Sequence, residues 1–307
     1  MPVTENDERG LPYGVAAYAL WGAFPLYWPL LEPAGAIEIL TQRMLWSLVV
    51  VVVLLSVTHG WTRVRNVVAV PAQRWRLAAA AMFVSVNWGV YIWGVNAGHV
   101  VETSLGYFIN PLFTILLGVV FLGERLRPVQ WVAVGIGTAA IVVLAVDYGR
   151  PPWIALILAF SFGMYGYLKK RVSVGTVESL AIETGFMAVP AAVTVVVLAM
   201  LGDATFANHG AGHASLLAAT GLVTAVPLLL FGAAARRLPL TTLGLIQYLA
   251  PVLQFAVGVG IRHEPLPAAR LAGFALVWLA LAILGTEGLL RSRATAPVPA
   301  AAPAELS

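Results

Sequence analysis

Apolar residues in this chain come in blocks of about 20, the length at which a helix crosses ~30 Å of hydrocarbon. Ten such blocks stand at 11–31, 36–57, 75–95, 100–121, 129–147, 151–170, 177–200, 215–235, 240–261 and 268–289. The longest connections between them, 58–74 and 201–214, are too small to be domains. A β-barrel would instead show alternating segments of about 10 residues, and none appear. Of the 307 residues 60% are hydrophobic and 10% charged, against about 25% charged in ordinary soluble domains. The expected fold class is therefore all-α, a polytopic membrane protein with ten transmembrane helices.

The chain has no cysteine, which excludes disulfides and thiol chemistry. Its net charge of +4 does not indicate nucleic acid, because the arginines lie in short loops between apolar blocks, where topology signals sit. Residues 1–10 are polar and acidic, unlike the basic start of a signal peptide. They are expected to form a cytoplasmic tail, and the first apolar block a retained span. Residues 290–307, rich in Ala and Pro, are expected to be a disordered cytoplasmic tail. If the N-terminus is inside, the inner segments hold fourteen Lys and Arg, the outer loops hold Arg150, Arg262 and Arg270, and Arg43 falls within a span. That bias predicts cytoplasmic termini.

One stretch occurs twice. Pro111 and Glu124 recur 140 residues later as Pro251 and Glu264, and the same offset matches Glu38 with Glu178, Gly118 with Gly258 and Leu126 with Leu266. Ser104-Leu105-Gly106 matches Thr242-Leu243-Gly244 at 138. The halves, 11–147 and 151–289, would each hold five spans. An odd number turns the second half upside down, the inverted repeat of many transporters with a site between the halves. A proline within a helix strips the carbonyl four residues earlier of its donor, here Tyr107 and Gln247. Such a carbonyl is tolerated in a membrane where protein or a wet cavity satisfies it.

The motifs Ala17-Tyr18-Ala19-Leu20-Trp21-Gly22, Glu38-Ile39-Leu40-Thr41-Gln42-Arg43, Val86-Asn87-Trp88 and Ile92-Trp93-Gly94-Val95-Asn96 carry a family resemblance. So do Ser104 to Pro111, Gly123-Glu124-Arg125, Ala159-Phe160-Ser161-Phe162, and Gln247-Tyr248 with Pro251. On these stretches, which run through nearly the whole chain, the sequence resembles the EamA-type transporters of the drug/metabolite transporter superfamily. The resemblance implies a ten-helix inner-membrane carrier of two EamA-type repeats, moving an amino acid, metabolite or drug, with no cofactor. Glu183 stands where the first half has Arg43, so the halves are not chemically equivalent.

Ionisable groups inside a membrane are functional candidates by default. Arg43 lies about seven residues into its span, roughly 10 Å deep at 1.5 Å per residue. It is read either as the ligand of an anionic substrate group, with Glu38 orienting it and Gln42 one turn below Glu38, or as a snorkelling residue paired with Glu38 or a carbonyl. Glu183, about 10 Å in from the other side, is too far in depth for a direct bridge to Arg43 and is the proton-coupling candidate. Asn87, Trp88 and Tyr91 are candidate cavity residues, with interhelical bonding the alternative for Asn87. Gly94 and Gly98 read as close helix packing. Tyr107, Asn110 and Pro111 with Gln247, Tyr248 and Pro251 form a pseudo-symmetric pair of bent or unwound helices, with Gln254 a weaker addition. Trp21, Trp88 and Trp93 are candidates for stacking on substrate. Glu124 and Glu264 read as capping or gate-side residues. His209 and His213 are one helical turn apart but lack a third ligand, so no metal is expected. No phosphate loop, nucleophile elbow or paired catalytic acid stands out.

The expected function is a secondary transporter working by alternating access, driven by a gradient or by exchange. Its partners would be a small-molecule substrate, the bilayer, protons and, as a candidate, a second copy in a homodimer. A membrane enzyme would need acids or histidines paired at an interface, and a scaffold or sensor would have apolar spans and a larger cytoplasmic domain. The charge bias predicts that a C-terminal reporter fusion is active only when it is of a kind that works in the cytoplasm. Activity confined to an exported reporter would reverse the orientation.

Overall fold

The computed structural model describes residues 5–122, 126–172, 174–235, 237 and 246–294. Among these every regular element is helical: α1 (Glu5–Gly22), α2 (Phe24–Tyr27), a 3-10 turn (Trp28–Leu31), α3 (Ala36–Val57), α4 (Trp61–Val68), α5 (Pro71–Asn96), α6 (Val100–Leu122) and α7 (Pro128–Tyr148). They are followed by α8 (Trp153–Lys170), α9 (Thr176–Leu201), α10 (Gly210–Ala235), α11 (Leu249–Ala256) with a π-turn over Val257–Ile261, and α12 (Ala268–Ala294). Six segments are long and apolar enough to cross a membrane unaided: Ala36–Val57, Pro71–Asn96, Pro128–Tyr148, Val177–Leu201, Gly210–Phe231 and Ala268–Thr286. Trp153–Lys169 and Leu249–Ile261 are shorter apolar helices.

The first expected span is not one helix. It starts early, at Glu5, and breaks after Gly22. Pro25 and Pro29 follow the break at the starts of α2 and the 3-10 turn. A proline tolerates those positions, whereas inside a helix its ring strikes the preceding turn. Pro25 lacks the N–H that would have reached the Trp21 carbonyl, and the Gln254 side chain supplies it, Nε2 donating to that oxygen at 3.2 Å. The ninth span is described from residue 246 onward. There Pro251 sits in the first turn of α11, where its missing donor costs nothing. The expected interruption at Pro251 is present: Ile246 is helical, Gln247 and Tyr248 form a turn and α11 starts at Leu249, and Pro251 has no N–H to offer the Gln247 carbonyl. Pro111, by contrast, lies inside the continuous α6, so the expected pair of bent or unwound helices is not found as a pair. Glu124, Arg125 and the stretch Thr242–Gly244 lie outside the described residues.

The bundle is inverted relative to a soluble protein. Buried within it are Glu38, Gln42, Arg43, Asn87, Glu102, Glu178, Glu183 and Gln254. Facing outward are large apolar residues such as Val57, Val146, Val189 and Met200. In lipid the outward apolar surface is solvated, and the inside must satisfy every polar group. The principal packings are α7 on α12, α6 on α8, α3 on α9, α5 on α8, α10 on α3 and α1, α5 on α9, and α11 on α1 and α6. One apolar cluster joins Trp28, Leu31, Ile39, Tyr91, Ile92 and Ile154. A second joins Leu105, Phe108, Ile109, Leu144, Phe274 and Val277. Gly149 and Gly202 close α7 and α9 at φ 63° and 79°, the left-handed position that favours glycine at a helix end.

Carboxylates fasten the helix starts. Glu264 accepts the backbone N–H of Val100 at 2.6 Å and of Val101 at 2.8 Å, the first two donors of α6. Burial pushes its carboxyl up from the ordinary range, opposed by those two N–H groups and by His99 and Arg262. Glu102 accepts from Ile154 N at 3.2 Å and pairs with Arg150 at 2.8 Å. Glu264→Ala strips α6 of its cap and is expected to cost about 1–2 kcal/mol, by analogy with N-cap deletions. Glu264→Gln, which keeps an acceptor, should lose less. Thermal unfolding in detergent measures both, and an alanine variant as stable as the wild type rules the cap out as a stabilising contact.

Candidate functional site

A single helix, α3, carries Glu38, Thr41, Gln42, Arg43 and Ser47 within ten residues, all buried. Their partners lie on different elements. Glu38 accepts the backbone N–H of Thr205 at 2.8 Å and of Phe206 at 3.1 Å, and the Thr205 hydroxyl at 2.9 Å. Its carboxylate therefore caps the segment entering α10 and does not orient Arg43, which corrects that expectation. Gln42 accepts the Trp46 indole N–H at 3.1 Å one turn away, and neither Glu38 nor Gln42 lines the central cavity.

Arg43 is 2% exposed. Its Nε donates to Thr224 Oγ1 on α10 at 2.6 Å. The guanidinium carbon stands 3.8 Å from the centre of the Trp88 ring, 5.2 Å from Trp28 and 5.5 Å from Phe24. No carboxylate pairs with it among the described residues, and the snorkelling alternative, a bond to Glu38 or a carbonyl, is not what the geometry holds. A charge at such depth costs at least ~2.5–3.5 kcal/mol. Aromatic faces and one hydroxyl recover part of that through cation–π attraction. Close approach of α10 to α3 makes the hydroxyl contact: a Cβ on Gly221 would lie 2.5 Å from the Trp46 carbonyl group, and Thr224 follows Gly221 by one turn.

Arg43 faces a cavity of about 220 Å³. The first half of the chain lines it with Tyr18, Trp21, Phe24, Arg43, Asn87, Trp88, Tyr91, Tyr107 and Asn110. The second half adds Phe162, Phe231, Gln247, Ala250, Pro251 and Gln254. Asn87 both lines the cavity and bonds between helices. Its amide donates to Leu158 O at 3.0 Å and Ser161 Oγ at 3.1 Å, and its carbonyl accepts from Tyr107 Oη at 3.1 Å. Tyr91 packs edge-on to Tyr107, and its own hydroxyl is buried without a partner, as is Gln254 Oε1.

Ten of the expected site residues thus converge, Trp21, Arg43, Asn87, Trp88, Tyr91, Tyr107, Asn110, Gln247, Pro251 and the weaker candidate Gln254, whereas Trp93 does not line the cavity. Tyr248 packs instead against the second apolar cluster. Pro111 lies in α6, and its side chain is outside what the structure describes. Glu183 lies apart from the cavity. Its carboxylate pairs with Lys169 at 2.8 Å and accepts from Ser179 at 2.7 Å and Tyr165 at 3.2 Å. It borders a small pocket shared with Met44 and Trp88, so Trp88 stands between that pocket and the central cavity. Gly94 packs as expected, a Cβ there falling 2.7 Å from Thr103, whereas Gly98 lies past the end of α5 at φ 75° with open space around it, which corrects the expected packing there. Tyr18, Phe24, Phe162 and Phe231 were missed; aromatics inside apolar blocks give no sign of which face is inward. Gln254, an amide one turn beyond a proline in an apolar run, carries a signal visible in the sequence.

The N-terminal 8–146 match the model of the EamA-like transporter family. The chain is 56% identical over 305 residues to the protein RarD of Streptomyces exfoliatus, covering 99% of this chain and 97% of that one. It is 42% identical over 282 residues to an uncharacterized transporter of Pseudomonas aeruginosa, covering 91% and 94%. A solved crystal structure shares the fold at a TM-score of 0.57 and 20% identity, covering 90% of this chain and 96% of the other.

Thr224→Val removes the hydroxyl beneath Arg43 at nearly constant shape. It is expected to destabilise by about 1.5–3 kcal/mol, the scale of a hydrogen bond to a charged group. Gly221→Ala, which forces α10 off α3, should cost about 1–3 kcal/mol. Thermal unfolding of both reads the result; a Gly221→Ala protein with wild-type stability would show that the close approach is not needed.

Proposed function

This chain belongs to the EamA-like transporter family, and from that premise we propose that it is a secondary transporter moving a small organic molecule by alternating access across the inner membrane, with both termini cytoplasmic. The observation that carries the proposal is Arg43: a buried charge without a carboxylate partner among the described residues, at the wall of a cavity lined by both halves of the chain. A membrane scaffold or sensor has no use for that arrangement, which is unfavourable until a ligand completes it.

The proposed ten-helix inverted repeat draws support from the packing. Exchange of α1 with α8, α3 with α9, α5 with α10, α6 with α11 and α7 with α12 turns each of the principal packings into another of them or into itself. The pair α6–α8 becomes α11–α1, α5–α8 becomes α10–α1, and α5–α9 becomes α10–α3. A two-fold relation of this kind lets each half rock against the other about a fixed cavity. Glu183 is the proposed coupling group. Its oxygens are occupied by Lys169, Ser179 and Tyr165 in this conformation, so the role requires that this cluster open in another.

Purified protein in liposomes, tested against labelled metabolites with and without an imposed proton gradient, is expected to show saturable flux. Glu183→Gln is expected to abolish the gradient dependence while leaving exchange. Flux that is non-saturable for every compound class sinks the transporter reading, and unchanged gradient-driven uptake by Glu183→Gln sinks only the coupling role.

A further inference from the structure

The cavity has a charge and a shape, and together they narrow the cargo. On the charge side, Arg43 is the ionised group in the wall, and no Asp or Glu lines the cavity among the described residues. The acids buried elsewhere in the bundle are already engaged. Glu38 holds Thr205 and Phe206, Glu102 holds Arg150 and Ile154, Glu178 pairs with Arg63, and Glu183 pairs with Lys169. An anion entering the cavity would therefore meet a counter-charge, and an ammonium group would not. Burying an unpaired charge is among the most unfavourable events in a low-dielectric interior.

The geometry around Arg43 says which kind of anion. Nε is taken by Thr224, and the Trp88 ring lies over the guanidinium. The two terminal nitrogens have no hydrogen-bond partner among the described residues. A planar pair of N–H donors left open matches a carboxylate, which accepts two parallel bonds. Away from Arg43 the wall is aromatic. Tyr18, Trp21 and Phe231 form a mutually packed group with ring centres 5.1–6.0 Å apart. In the same wall the Gln254 Oε1 acceptor and the Tyr91 hydroxyl are buried without partners, which suits an aromatic ring that carries an N–H or O–H donor, such as an indole. The volume of about 220 Å³ lies below the ~300–1,000 Å³ of pockets for drug-sized ligands.

We propose that the cargo is a small monoanionic aromatic acid lacking an ammonium group, its carboxylate seated on Arg43 and its ring among Tyr18, Trp21 and Phe231. This rests on the reading that the cavity is the cargo site. It separates this site from one built for amino acids, which must also hold an ammonium group, and from one built for cationic drugs.

The test is equilibrium binding of labelled phenylacetate, benzoate and indole-3-acetate to the full-length purified protein, with flux measured on the same preparation in liposomes. Competitors are phenylacetamide, phenylalanine and phenethylamine, which replace the anion by a neutral, zwitterionic or cationic molecule. At least one acid is expected to bind saturably, with each competitor weaker by about tenfold or more. Arg43→Gln should weaken the acid by about tenfold or more and leave phenylacetamide unchanged, and Arg43→Lys, which keeps the charge without the planar fork, should fall between. Where Arg43→Gln does not fold, Arg43→Lys and Trp88→Phe carry the comparison. Absence of binding by all three acids, stronger binding of phenylalanine or phenethylamine, or wild-type affinity in the Arg43 variant overturns the proposal. Binding without flux leaves the ligand class standing and removes the transporter reading; flux of a zwitterion or cation without acid binding does the reverse.

Discussion

A polar group inside an apolar bundle needs a partner, and much of this structure is the placement of those partners. Buried and half-buried carboxylates do it repeatedly at helix starts, where backbone N–H groups lack acceptors and the helix dipole favours negative charge. Glu264 takes the first two donors of α6, Glu102 one at the start of α8, and Glu38 two in the segment before α10. Each bond joins segments far apart in the chain. The caps fix where helices begin as well as how they pack. The same rule explains Gln254, whose amide replaces the donor that Pro25 cannot provide.

Arg43 is the exception, and the exception makes the site. Its surroundings are aromatic rings and one hydroxyl in place of a carboxylate. That environment holds the side chain in position without neutralising it. Gly221 allows the hydroxyl to reach it, and Asn87, another cavity residue, is tied to α8 and to Tyr107. Trp88 touches both the cavity and the pocket beside Glu183, so the charged clusters of the two halves meet at one indole. The position that is arginine in the first half and glutamate in the second is therefore unlike in surroundings as well as in charge: one is open to the cavity and the other closed by Lys169.

Residues announce their role in the sequence most clearly where the cost of burying them is highest. Arg43 and Asn87 stood out because a charge or an amide within an apolar block demands an explanation, and both line the cavity. Glu264 was legible as a capping residue from its position at a span exit. Glu38 was misread: two groups close in sequence on one helix suggested one site, but they face different neighbours. The prolines misled in a similar way. Pro251 looks like Pro111 in sequence, yet the chain is interrupted just before Pro251 and runs on as one helix through Pro111, and a further break falls at Pro25.

The sequence by itself determined the solvent and the element type. Hydrocarbon leaves a long apolar segment no way to satisfy its backbone except as a helix, and no tertiary contact is needed to know it. It also determined that a few polar groups must lie inside, since their cost is local to each residue. Which of them share a cavity was decided by tertiary structure alone. Partners such as Thr224 for Arg43 or Thr205 for Glu38 lie more than 160 residues away, and helix rotation, set by close contacts such as Gly221 on Trp46, chooses which face each side chain meets.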